Sequence, residues 1–345
     1  MSKMSPRDIV LAQLHHRDTP TVPYVLAMEP CVAERVDAHY GGTQWRQRLQ
    51  PFMTCHFAVD TIRETPINET HGTDIFGSIW RRDQRPWHLE TPALRSSSLA
   101  GFKFPCLEQF IEPVAAGKDA ACERIRADRE HAHIIAMGWG IFEQTWRIRG
   151  FEDALMDAVA EPAFYEDLIA HITELYVGMV RFCADVPADA IMFGDDWGDQ
   201  RDVILGPERW RHFIKPAWAK VYDEVHRQGK LVISHSCGSV ATIMGDAIEI
   251  GLDVLESVQP EAAGMNPYGL KRQWGDRLAF YGCLGSQSTI PFGSPQQIRD
   301  EVQRLCREVG KSGGFILSTA KPLQPETPTE NAVAIVEAFT NQVSQ

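Results

Sequence analysis

At 345 residues, 44% hydrophobic and 23% charged, the chain has the composition of a globular protein that can bury a large core, which excludes the disordered and fibrous classes. Its 46 acidic against 34 basic side chains give a formal net charge of -12, the wrong sign for a protein that lives on nucleic-acid phosphates. No run approaches the ~18 consecutive apolar residues of a membrane helix, the first 16 residues lack the apolar core of a signal peptide, and the eight cysteines show no CxxC pairing, so a cytoplasmic protein with reduced thiols is expected.

In chain order, a short lead-in helix over residues 6–15 precedes a buried strand at 22–28 that ends at Glu29-Pro30. A helix over 32–40 follows, stopped by Gly41-Gly42. Residues 56–59 form a weak strand candidate. Between about 71 and 98, Ile75 to Trp80 and Trp87 to Leu89 flank the polar Arg81-Arg82-Asp83-Gln84-Arg85, which predicts a hairpin covering one end of the fold.

From residue 130 the chain repeats a short apolar run, a turn and an amphipathic stretch, with strands expected at 134–137, 190–193, 231–234, 254–258, 279–282 and 315–318. Gly206-Pro207 opens a helix whose buried face runs from Trp210 to Val225, with a kink expected at Pro216. Ser294-Pro295-Gln296-Gln297 and Thr327-Pro328-Thr329-Glu330 are helix starts with a capping box. Eight strands with helical crossovers predict a parallel sheet closed into a (β/α)8 TIM barrel, with a doubly wound open sheet as the alternative. No repeat or linker divides the chain, so residues 1–345 read as one domain.

In either architecture, chemistry gathers outside the carboxyl ends of the strands. That rule collects Trp139, Glu143 and Trp146; Asp195, Asp196, Trp197 and Gln200; His235 and Cys237; Cys283 and Gln287; and Lys321. His235 and Cys237 are two apart on a strand end and leave the same face, so one cation could hold both. A hydrogen-bonded histidine beside an inert cysteine is the bland alternative. Asp195-Asp196 could orient a substrate, do acid/base work, ligate a cation or cap the following turn. The three tryptophans could line a substrate pocket or fill the core under a loop. No P-loop, dinucleotide fingerprint or nucleophile elbow appears.

Phe193-Gly194-Asp195-Asp196-Trp197-Gly198 with Gln200, Ile214-Lys215-Pro216, Ser234-His235-Ser236-Cys237-Gly238, and Gly313-Gly314-Phe315-Ile316-Leu317 with Gln324-Pro325-Glu326-Thr327-Pro328 form an ordered set. With Glu330-Asn331 it resembles the uroporphyrinogen decarboxylase superfamily, from about residue 130 to the carboxyl terminus. The resemblance implies a (β/α)8 barrel and two possible chemistries. One is the cofactor-free decarboxylases, which hold carboxylated tetrapyrroles with arginines and an aspartate. The other is the corrinoid-linked methyltransferases, where zinc on a His-x-Cys pair and a distant cysteine activates a thiol toward methylcobamide.

Arg35 is the only arginine over residues 27–42, where the decarboxylases carry an arginine-rich segment. His235 and Cys237 match the methyltransferase motif, which implies zinc, a corrinoid as methyl partner, a corrinoid carrier protein as a possible partner, and a small thiol, hydroxyl or ether as the other substrate. Where the resemblance expects the distant cysteine, the chain reads Ser318-Thr319-Ala320-Lys321-Pro322, and a protonated lysine is no ordinary ligand. Three solutions are open: Cys283 completes the site; a carboxylate of Asp195, Asp196 or Glu143 does so; or no zinc binds and Lys321 holds an anionic group of the substrate, as in a metal-free decarboxylase or lyase.

Overall fold

The computed structural model describes residues 4–84 and 86–342. Eight parallel strands form its centre: β1 (Tyr24–Val25), β2 (Met53–Val59), β7 (Ala132–Met137), β8 (Ala190–Phe193), β9 (Leu231–His235), β10 (Val254–Val258), β11 (Ala279–Leu284) and β12 (Phe315–Thr319). The remaining strands, β3 (Glu64–Pro66), β4 (His71–Asp74), β5 (Ile79–Arg81) and β6 (His88–Thr91), form a separate antiparallel sheet.

The parallel strands lie in the order β1-β12-β11-β10-β9-β8-β7-β2. Sequential strands are therefore neighbours all the way round, as a TIM barrel requires and a doubly wound sheet forbids. Among the described residues β1 and β2 share no ladder. Contacts close that seam instead: the Gln50 N–H donates to the Tyr24 hydroxyl at 2.8 Å, and the Tyr24 and Phe52 rings meet at 5.1 Å. Each strand expected from the sequence is present, two of them with the expected bounds. β2 begins three residues earlier because its first half carries polar Thr54 and exposed Cys55, which mask the apolar signal.

The expected hairpin is larger, a four-stranded meander that begins at Glu64. Its first strand, Glu-Thr-Pro, has no apolar alternation and carries an edge proline, so nothing in the sequence announces it. Trp80 of β5 packs against Trp146 at 6.4 Å, which seats this sheet on the helix Ile141–Arg149 that follows β7.

The helix expected to kink at Pro216 contains a π turn, Trp210–Ile214, between Pro207–Arg209 and Lys215–Arg227. Pro216 cannot donate to the carbonyl one α turn back, and the Lys215 N–H reaches Trp210 O instead. The turn lets the indoles of Trp210 and Trp218 close on Trp197 at 5.2 and 6.5 Å in the core between helix and sheet. No helix among the described residues is long and apolar enough to cross a membrane.

Candidate metal centre at the carboxyl ends of the strands

β8 ends at Phe193, and Gly194 leads into the two aspartates. Asp195 turns into the core. Its Oδ2 accepts from Phe142 N at 3.0 Å and from the Trp197 and Trp218 indoles at 2.8 Å each, and its Oδ1 accepts from Glu143 N at 2.9 Å. It thus caps the first turn of helix Ile141–Arg149 from a neighbouring strand end. This approach needs Gly140, because a Cβ there would lie 2.2 Å from Asp195 Cβ.

Asp196 faces the barrel mouth, where β9 delivers His235 and then Cys237. The two loops are fastened by one backbone bond and one to a side chain. Ser239 N donates to Asp199 O at 2.6 Å and Trp197 N to Ser236 Oγ at 3.0 Å. Gly238 sits at φ 74, and a Cβ on it would come within 2.5 Å of Gly198 O.

Asp196, His235 and Cys237 converge, with one potential ligand atom of each within 4.8 Å of the others. His235 Nε2 lies 3.2 Å from Asp196 Oδ1 and 3.3 Å from Cys237 Sγ, and Cys237 N donates to Asp196 Oδ1 at 2.8 Å. On the far side of the ring, His235 Nδ1 bonds Glu256 Oε2 of β10. A carboxylate accepts, so Nδ1 carries the hydrogen and Nε2 is the nitrogen turned toward Asp196 and Cys237. Burial works to lower His235, but its bonds to Asp196, Cys237 and Glu256 outweigh it and hold the imidazolium well above its ordinary value. Burial works to raise Asp196, and here too the His235 bond and charge, Cys237 N and Lys321 win, keeping it a carboxylate. The cluster therefore favours a positive charge at its centre, the charge a divalent cation would bring.

Glu143 closes the inner wall. Burial, together with the charges of Asp195 and Asp196, pushes its carboxyl up to about 8, against one bond from Gly140 N at 3.1 Å. Burial also raises Asp195, to about 6, but four N–H donors oppose the rise. Of the pair, Glu143 holds the proton.

The other residues singled out from the sequence scatter. Trp197 is core, its indole spent on Asp195. Trp139 and Trp146 meet edge to face at 5.7 Å beside the mouth, and the buried Arg147 guanidinium lies between Trp139 and Trp80, 4.5 and 4.1 Å from their centroids. Gln200 Nε2 donates to Gln259 Oε1 at 3.3 Å, and that oxygen also accepts from Gly238 N at 3.1 Å. Gln287 is exposed, with its N–H on Glu261 at 2.9 Å. Lys321 is exposed at the rim and acts on Asp196 through its charge.

Cys283 is not brought to the cluster. It is fully buried at φ 74, and burial, with Glu301 of helix Pro295–Glu308 adding to it, pushes its thiol up. Glu256 is the member that sequence reasoning missed. Its one signal was an acid inside the mostly apolar strand Val254–Val258.

The family model described as uroporphyrinogen decarboxylase (URO-D) matches residues 120–342. The uroporphyrinogen decarboxylase of Thermus thermophilus is 27% identical over 181 residues, 51% of this chain and 48% of that protein. That of Coxiella burnetii is 26% identical over 191 residues, 52% and 48%. The match thus spans about half the length of these relatives. Among solved structures, a methyltransferase from Methanosarcina mazei superposes with a TM-score of 0.68 at 19% identity, covering 98% of both chains, and shares the fold. With its family model matched over well over half its length, from the end of the helix before β7 to the last helix, the chain belongs to the uroporphyrinogen decarboxylase family.

Proposed function

We propose that this chain is a zinc-dependent methyltransferase of the corrinoid-linked type, moving a methyl group between a corrinoid and a small thiol, hydroxyl or ether substrate. The observation that carries this reading is the meeting of Asp196, His235 and Cys237 at the barrel mouth. An imidazole nitrogen, a thiolate and a carboxylate oxygen are a donor set zinc accepts, with a fourth position left for substrate. The carboxylate makes it a harder site than two thiolates would. The family of the chain and the frame shared with a methyltransferase are in keeping with it.

Zinc, when bound there, supplies a Lewis acid that lowers the pKa of a thiol or polarises the oxygen of a methylated substrate. Glu256 fixes the tautomer and plane of His235, the role carboxylates play behind metal-bound imidazoles. Asp196 is itself held by Cys237 N, so these two ligands are oriented together. Glu143 keeps a proton next to the cluster, where a departing oxygen needs one. Lys321 offers a cation at the rim for an anionic group of the substrate.

The decarboxylases among the relatives favour a second reading, a metal-free decarboxylase or lyase with Lys321 as counter-ion. Arg35 weakens it, because its guanidinium is engaged by the carbonyls of Pro325 and Thr327, each at 2.9 Å. Metal analysis of protein purified without chelator separates the two. The expected result is about one zinc per chain at this centre that is lost in His235→Ala and in Cys237→Ala, together with zinc-dependent demethylation of methylcobalamin by a thiol panel. Protein free of metal at this centre that decarboxylates small acids at full rate would overturn the first reading.

A further inference from the structure

We infer a second metal site, for a borderline divalent cation such as zinc, nickel or cobalt, formed by His56, Asp128 and His133 at the end of the barrel opposite the mouth. One potential ligand atom of each lies within 4.8 Å of the others, and the group shares no residue with the cluster at Asp196, His235 and Cys237. Asp128 follows the helix Leu107–Ala127, and His133 is the second residue of β7, so the group lies at the amino ends of the strands.

The backbone is shaped for the meeting. Thr54 and Cys55 pair with His133 and Ile134, but Phe57 pairs with Ile135, so His56 is an extra residue bulged out of the ladder. Bulges re-aim side chains. Here the bulge brings the His56 ring to 5.5 Å from the His133 ring, tilted by 38°. His133 is buried, and its ring nitrogens rest on Thr54 Oγ1 at 2.9 Å and on the Asp128 carbonyl at 2.7 Å. A bound metal would replace one of these bonds, and the other would orient the ring, as an outer partner does for metal-bound imidazoles. The Asp128 carboxylate is already fixed, accepting from Glu130 N at 3.1 Å and from His131 Nδ1 at 2.9 Å.

Two imidazoles and one carboxylate select borderline transition metals over calcium or magnesium. The site would be a clip. Among the described residues β2 is laddered on one side only, to β7. A cation here ties that edge strand to β7 and to the end of the helix packed outside them.

The test uses the full chain carrying Cys237→Ser, which removes the thiolate of the mouth. Zinc titration is expected to give about one remaining equivalent per chain, with a rise in melting temperature. Cobalt in that chain should show ligand-field bands without a thiolate transition. Adding His56→Ala, at a partly exposed position, or Asp128→Asn should abolish that equivalent and the melting shift while leaving the metal-free circular dichroism unchanged. A Cys237→Ser chain that binds no zinc, or whose zinc and melting shift survive His56→Ala, overturns the inference. An equivalent that persists without both His235 and Cys237 and vanishes with His56 supports it, whatever the mouth proves to hold.

Discussion

Between Asp195 and Asp196 the side-chain direction reverses, so that one carboxylate is taken up by four N–H donors in the core while its neighbour meets His235 and Cys237. Asp195→Asn keeps the volume but turns an NH2 toward donors. A loss on the order of 3 kcal/mol is expected, read as a lowered denaturant midpoint. Glu143→Gln should leave metal content intact and lower turnover, because the amide still faces Gly140 N but holds no acidic proton. A variant with parental turnover would remove Glu143 from the chemistry. At this scale the sequence was only partly legible. His235 and Cys237 could be read because alternation holds along a strand. The two aspartates could not be told apart, since their directions depend on how the chain leaves β8. Cys283 was unreadable as a non-ligand because a positive φ at Gly282, 118°, and at Cys283, 74°, breaks the alternation of β11.

Among elements, the last turn of helix Lys215–Arg227 places His226 Nε2 2.8 Å from Asp253 Oδ2, just before β10. That bond raises His226 above its ordinary value, against burial. A raised histidine contributes fully below its unfolded pKa of about 6.5, and the contribution is lost as pH rises through the higher folded value. The melting temperature of the parent relative to His226→Gln should therefore be higher at pH 5.5 than at pH 9, the difference fading on the alkaline side. A pH-independent difference would refute the linkage. The cover sheet works through one residue in particular. Trp80 donates to Asp74 Oδ2 at 2.8 Å and stacks on Arg147, and Trp80→Ala should cost about 3–5 kcal/mol. Because β8, β9 and β10 build the candidate metal centre without it, the zinc proposed to bind there should be retained in that variant. The elements themselves were legible wherever an apolar run or a cap marked them. The π turn and β3 were not, since one follows from a carbonyl left without its donor and the other from an edge pairing.

For the whole molecule, strand count and crossover length predicted the barrel because a parallel sheet with helical returns has few ways to close. What composition could not reveal is how unevenly the barrel is built. The mouth joins acids, an imidazole and a thiol, while the seam between β1 and β2 is held by a phenol and a pair of rings.

The reversal at Asp195-Asp196 also bears on which changes the loop can survive. Substitutions can adjust either acid separately, but inserting or deleting one residue between Phe193 and Asp195 would shift both along the loop, leaving either the core or the mouth without its acid. Length variation among natural or engineered relatives is therefore expected to spare this loop and to concentrate elsewhere, for instance in the cover sheet. A single-codon indel here should disable folding and chemistry together.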